Sequence, residues 1–186
     1  DRVEDLIDWC NELGIKIITL YALSTENLER KDEELEYIFD LIEQRLNKLL
    51  VDPKLHKFRM NVRAIGRVEL MPERITSVLK KLEEVTRNYD NIYLNIAIAY
   101  GGQTELLDAV RKVADMVKDG KLDVNNIGKE QIESCLYTSH LPQPEPDMIL
   151  RTSGEQRLSG FLIWQSAYSE LVFMDVFWPE FRKIDL

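Results

Sequence analysis

Residues 91–102 read NIYLNIAIAYGG, an apolar, branched run of strand length that ends at a glycine pair. Such a run fits a buried strand, and Gly101-Gly102 fits the turn that closes it. The segment before it, 73–88, places Ile75, Val78, Leu79, Leu82 and Val85 at helical spacing. The segment after it repeats that period through Leu106, Leu107, Val110 and Val113. A strand between two helices is the unit of a parallel sheet, and the rest of the chain extends it. Upstream, IKIITLYAL (15–23) predicts a strand, and Phe58–Ile65 another. Between them, 32–50 predicts a helix with an apolar stripe of Leu35, Ile38, Phe39, Ile42, Leu46, Leu49 and Leu50. Val3, Leu6, Ile7, Trp9, Cys10 and Leu13 predict an opening helix, with Gly14 at its C-cap. Downstream come the polar stretch DGKLDVNNIGKEQ, a short helix, the connector LPQPEP, a strand over Met148–Arg151 and the aromatic-rich segment 161–181. The expected fold class is α/β, an open, mostly parallel sheet flanked by helices, in one domain over 1–186 with no internal repeat or dividing linker.

Composition narrows the function. The 186 residues carry 33 acidic against 24 basic side chains, a net charge of -9, which argues against a general nucleic-acid binder. An anion site must therefore be local. The two cysteines, Cys10 and Cys135, lie far apart and outside any metal-knuckle spacing, so a reducing, cytoplasmic setting is expected. No apolar run is long enough to span a bilayer, and the opening DRVEDLIDWC lacks the order of a signal peptide. Because a helical pattern is already running at the first residues, we expect the chain to be cut upstream.

In a parallel sheet, ligands bind at the loops that follow the strands. The loop RTSGEQRLSG (151–160) places two arginines, two serines and two glycines directly after the strand MIL. Arginine forks match phosphate oxygens, and hydroxyls and glycine amides add hydrogen bonds, so the loop suits a diphosphate. A solvated turn with an Arg–Glu surface pair is the competing reading. The loop LSTENLER (23–30) brings Ser24, Glu26, Asn27 and Arg30 to the same edge, where Ser-x-x-Asn reads equally well as helix capping. Glu170 stands between aromatic and aliphatic residues; if buried, it needs an arginine or a metal, and magnesium suits a carboxylate beside phosphates. His56 and His140 have no partners at catalytic spacing and receive no role. The apolar stripe over 32–50 serves either core packing or one wall of a lipid tunnel.

Together, LYALSTEN, IAYGGQTELLDAVRK, LPQPEPDMILRTSGEQRLSGFLIWQSAYSEL and DVFWPEF resemble the cis-prenyltransferase family, that of undecaprenyl diphosphate synthase, and its archaeal branch more than its bacterial one. The likeness runs nearly end to end. It implies a homodimer with a hydrophobic tunnel for the product. It also implies sequential cis-condensation of isopentenyl diphosphate with an allylic diphosphate, geranylgeranyl or farnesyl. The product would be a long-chain polyprenyl diphosphate for a glycosyl-carrier lipid, released with peripheral membrane contact. By that resemblance Arg151, Arg157 and Ser159 hold the diphosphate of isopentenyl diphosphate, and Glu170 helps bind Mg2+. Ser24 and Asn27 serve catalysis, with Arg30 binding substrate beside them. Leu28 stands where the family often has an aromatic residue.

One family element is missing. The resemblance calls for a first strand ending in Asp-Gly-Asn-x-Arg, whose aspartate is essential. No such motif occurs, and Asp119-Gly120-Lys121 lies in another context. The 186 residues alone are therefore expected to be inactive or nearly so, and the end at Leu186 is early for the family. A non-catalytic accessory subunit of a prenyltransferase complex is the alternative, although such subunits tend to lose the loop that Arg151, Gly154, Arg157 and Ser159 preserve here. A nucleotide- or phosphosugar-binding α/β protein is a third reading.

Overall fold

The computed structural model describes residues 2–186. Three strands, β1 (Ile17–Tyr21), β2 (Met60–Ile65) and β3 (Ile92–Ala97), form a parallel sheet in the order β1-β3-β2. Ile17 lies opposite Tyr93 and Met60 opposite Ile92, so the central strand is the NIYLNIAIAY segment. Side chains alternate across it. Ile92, Leu94 and Ile96 enter the main core, and Asn95 and Ala97 on the other face are also buried.

Four longer helices surround this sheet: α1 (Arg2–Leu13), α2 (Asp32–Leu50), α4 (Glu73–Thr86) and α5 (Gly102–Lys118). Gly14 ends α1 at φ 75°, a left-handed conformation that glycine adopts without a Cβ clash, and the amide of Ile15 returns to the Cys10 carbonyl at 2.8 Å. The α2 stripe is core-facing: Phe39 and Leu46 are buried, and Leu35, Ile38, Ile42, Leu49 and Leu50 pack partly covered against the same cluster. Arg74 of α4 ties α2 in place through Glu36, Asp40 and Glu43. The outer edge of β2 is closed by side chains of α4. Thr86 Oγ1 accepts from the Val62 amide at 3.1 Å, and Glu83 Oε1 from the Ala64 amide at 3.0 Å. That arrangement satisfies an edge which would otherwise invite another strand.

Two features depart from the sequence expectation. A five-residue helix, α3 (Pro53–Lys57), follows α2, capped by Asp52 with Pro53 at its first position. It is too short to show a period. The parallel strands also divide into two ladders, because β4 (Met148–Arg151) and β5 (Glu170–Phe173) pair only with each other among the described residues. β1 and β4 each keep one edge without a strand partner there. The short helix of the polar stretch is α6 (Lys129–Glu133).

Both cysteines are buried and free. His140 bridges Asn95 and the Tyr137 carbonyl behind the sheet, at 2.9 and 3.1 Å, while His56 meets the Tyr89 hydroxyl at 2.7 Å. Among the described residues no helix is long and apolar enough to cross a membrane.

Leu82 is fully buried in α4 and Leu107 is 56% exposed on α5. Leu82→Ala is expected to cost about 2–5 kcal/mol in urea unfolding, through lost burial and the cavity left behind. Leu107→Ala should change stability by about 0.5 kcal/mol or less. Equal losses would contradict the placement of α4.

Candidate functional site

The two loops expected to carry chemistry follow β1 and β4, and backbone hydrogen bonds draw them together with the turn that follows β3. Beyond β1, the Ala22 amide donates to the Ala97 carbonyl at 2.9 Å, Thr25 to Tyr100 at 3.0 Å, and Tyr100 back to Leu23 at 3.1 Å. Beyond β3, the Gly102 amide donates to the Gly160 carbonyl at 2.9 Å. A cavity of about 250 Å³ opens where they meet, lined by Glu26, Gly101, Gly102, Gln103, Thr104, Ser159 and Gly160. The N-terminus of the seventeen-residue α5 forms part of its wall. The dipole and free amides of such a terminus favour an anion.

Gly102 permits the contact. A Cβ there would stand 2.2 Å from the Gly160 carbonyl oxygen and 2.9 Å from Ile163. The pair read from sequence as a strand-ending turn is therefore also the point where α5 meets the 151–160 loop.

That loop is conformationally unusual. Ser153, Ser159 and Leu162 have φ of 75°, 47° and 45°, next to glycines 154 and 160 at 72° and 76°. Left-handed non-glycine residues cost free energy, and they gather where function holds a backbone in place. The amides of Ser153 and Gly154 are not free for a ligand. They donate to the carbonyls of Val176 at 2.8 Å and Met174 at 2.9 Å, which corrects the expectation that both glycines expose their amides. Gly154 also closes on Asp175, whose Oδ1 would lie 3.0 Å from an added Cβ.

Each predicted residue has a definite place. Arg151 Nη1 donates to the Ser159 hydroxyl at 2.8 Å and to the Arg157 carbonyl, bending the loop onto the guanidinium. Arg157 is exposed and ion-paired with Glu155, the surface pair weighed from sequence. Ser24 and Asn27 cap each other. The Ser24 amide and hydroxyl donate to Asn27 Oδ1 at 3.1 and 3.0 Å, and the Asn27 amide donates to Ser24 Oγ at 3.1 Å. Arg30 pairs with Glu34 of α2 on the surface.

Glu170 stands apart. It is exposed, so the burial expected from its apolar neighbours is not found. It also begins β5 opposite Met148, whereas Arg151 ends β4 opposite Phe173. Three residues of strand, roughly 10 Å, separate the two ends.

Of the other groups at the site, Tyr21 and Glu105 were not singled out from sequence, whereas Glu26 was read with its loop. Tyr21, at the end of β1, stacks on Phe161 with centroids 4.8 Å apart and donates its hydroxyl to the Tyr100 carbonyl at 3.1 Å. Burial is the main reason its phenol is pushed up to about 12. Glu26 is held below the usual carboxylate range, chiefly by a backbone hydrogen bond, so a negative charge sits on the cavity wall. Glu105 is buried behind that wall. Apart from the positions after strands, nothing in the pattern marks Tyr21, and Glu105 reads as one more acidic residue of a helix.

The chain has relatives in sequence and in fold. The prenyltransferase family model, that of undecaprenyl diphosphate synthase, matches residues 1–186. A tritrans,polycis-undecaprenyl-diphosphate synthase (geranylgeranyl-diphosphate specific) of Methanopyrus kandleri is 51% identical over 186 residues, all of this chain and 68% of the relative. Its counterpart in Methanocaldococcus jannaschii is 48% identical over 185 residues, 100% of this chain and 66% of the relative. The chain thus spans about two thirds of these proteins. Lavandulyl diphosphate synthase from Lavandula x intermedia, solved with dimethylallyl diphosphate, superposes with a TM-score of 0.92 at 29% identity, over 99% of this chain and 78% of that one. A probable undecaprenyl diphosphate synthase from Campylobacter jejuni gives 0.85 at 30% identity, over 99% and 82%.

Gly102→Ala should force the 159–163 backbone away from α5, lowering stability by about 1–3 kcal/mol in urea. It should also weaken pyrophosphate binding in calorimetry. A variant with unchanged stability and binding would contradict the close approach.

Proposed function

The chain belongs to the cis-prenyltransferase family, that of undecaprenyl diphosphate synthase, and from that footing we propose that the whole protein condenses isopentenyl diphosphate repeatedly onto an allylic diphosphate. The observation that carries the reading is the meeting of three strand-end loops, with the Arg151–Ser159 loop closed against the start of α5. Arg151, Arg157 and Ser159 are the proposed holders of the isopentenyl diphosphate anion. Ser24 and Asn27, in the same loop as Glu26 of the cavity wall, are proposed to serve catalysis, their mutual hydrogen bonds fixing that loop. Arg30 is proposed to leave Glu34 for substrate phosphate.

In the reaction the allylic carbon–oxygen bond breaks, the double bond of isopentenyl diphosphate attacks the resulting electron-poor carbon, and a proton leaves. Fixed donors around the diphosphates stabilise the developing charge best where water is scarce. The prenyl chain contributes ~0.8 kcal/mol for each buried methylene, so an apolar tunnel between α2, α4 and the sheet would hold a long product.

Geranylgeranyl diphosphate is the proposed primer, because the archaeal relatives are named as specific for it. A polyprenyl diphosphate for a glycosyl-carrier lipid is the proposed product. By the family resemblance, an Asp-Gly-Asn-x-Arg strand, which these 186 residues do not contain, is proposed to hold the allylic diphosphate and supply the essential aspartate, and the edges of β1 and β4 that lack a strand partner among the described residues are suited to receive it. Magnesium is proposed as cofactor from the chemistry of a leaving diphosphate. The residues of one chain do not fit it as they stand: Glu170 lies at the far end of β5, and no group of three acidic, histidine or cysteine residues gathers among the described residues. Exposed Met148, Tyr168, Leu171 and Phe177 around the β4–β5 ladder support a homodimer. A cytoplasmic enzyme releasing product at the membrane surface completes the proposal.

The full-length protein, given labelled isopentenyl diphosphate, geranylgeranyl diphosphate and magnesium, should yield a ladder ending in long cis-prenyl chains, lost with a chelator and restored by the metal. Sedimentation should give the mass of two chains. No product with either geranylgeranyl or farnesyl primer, from a folded dimer, would favour the accessory subunit instead.

A further inference from the structure

Directly behind the cavity lies a polar network that the proposed reaction does not use. Glu105 is 1% exposed, three residues into α5. Its Oε1 accepts from the Tyr137 amide at 2.8 Å and from Gln165 Nε2 at 3.0 Å, and its Oε2 accepts from the Tyr100 hydroxyl. Each partner leads to a different segment. The Tyr100 hydroxyl also accepts from the Leu162 amide at 3.2 Å, and Gln165 Nε2 donates as well to Thr138 Oγ1 at 3.0 Å. One carboxylate therefore joins the end of β3, the 137–138 connector and the 162–165 stretch that follows Ser159 and Gly160.

No cation hydrogen-bonds this carboxylate among the described residues. Burial pushes its pKa up, against the three donors and the more distant Lys112 charge, which favour the charged form. A buried charge without an ion pair is costly, and an amide of the same shape would leave no charge to desolvate. Gln165 points the same way. Its Oε1 is buried with no hydrogen-bond partner among the described residues, so the side chain is held by its nitrogen alone. A buried orphan acceptor calls for an explanation, and here the donation to Glu105 supplies one.

The geometry points to Glu105 as a positioning residue for diphosphate recognition: by gathering Tyr100, Tyr137 and Gln165 it fixes the register of Ser159 and Gly160 against the start of α5. It acts through those groups and touches no substrate. This inference rests on the reading of the 151–160 loop as the isopentenyl diphosphate site.

Glu105→Gln keeps the shape and removes the charge. In the full-length protein its melting temperature should equal or exceed that of the unmodified protein, because the desolvated charge is gone. Its dissociation constant for isopentenyl diphosphate should nevertheless rise about tenfold, the scale of one hydrogen bond to a charged group. Amide exchange at Leu162 and Tyr137 should quicken, reporting local opening. Gln165→Leu, which removes one donor, should weaken binding in the same direction. Equal affinity in Glu105→Gln overturns the role of Glu105 while leaving the loop's function intact. A parallel fall in melting temperature and affinity also overturns it, since that would make Glu105 ordinary core. Failure of the unmodified protein to bind isopentenyl diphosphate would instead defeat the reading of the loop itself, and the inference with it.

Discussion

The central strand β3 is bonded on both sides and buried on both faces, and its extension to Gly102 has the same obligations. Buried amides and carbonyls must find partners. Ile98 finds the Ile65 carbonyl at 2.9 Å, Tyr100 finds Leu23 at 3.1 Å, and Gly102 finds Gly160 at 2.9 Å. Those partners are the last residue of β2, the loop after β1 and the loop after β4. Satisfying one backbone thus draws the site together, and a shift of this segment would break bonds to three separate segments at once.

Within that frame the 151–160 loop, the proposed diphosphate site, is closed on itself. Arg151 is occupied by the Arg157 carbonyl and the Ser159 hydroxyl, and Arg157 by Glu155. Under the proposed reading, an incoming diphosphate would take Arg151 from neutral oxygens to charged ones, while Arg157 would exchange one carboxylate partner for another anion. The acidic chain, at net charge -9, lends no general attraction. Glu26 adds a negative charge to the cavity wall itself. Recognition must therefore come from short-range donors.

Much of this was legible in the residues. IKIITLYAL, NIYLNIAIAY and MIL carry β1, β3 and β4, and the stripes of α2 and α4 face the core except for Val85, which is exposed. The loops after the strands were found because a parallel sheet puts its ligand edge there. What escaped depends on long-range pairing. α3 is one turn held by Asp52 and Pro53, below the length at which a period shows. The division into two ladders depends on which edges meet, which no local pattern encodes. Glu170 looked buried because its neighbours in sequence are apolar, yet it begins an edge strand and faces outward. Glu105 carries no local signal of its own, and only the approach of Tyr137 and Gln165 from distant segments reveals its place.

The most direct test of the account is calorimetric binding of isopentenyl diphosphate to the full-length protein and to its Arg151→Ala variant, with the fold checked by circular dichroism. Loss of a charged fork from the loop should weaken binding by about tenfold or more without unfolding the chain. Unchanged affinity in a folded Arg151→Ala protein would contradict the assignment of the 151–160 loop as the diphosphate site.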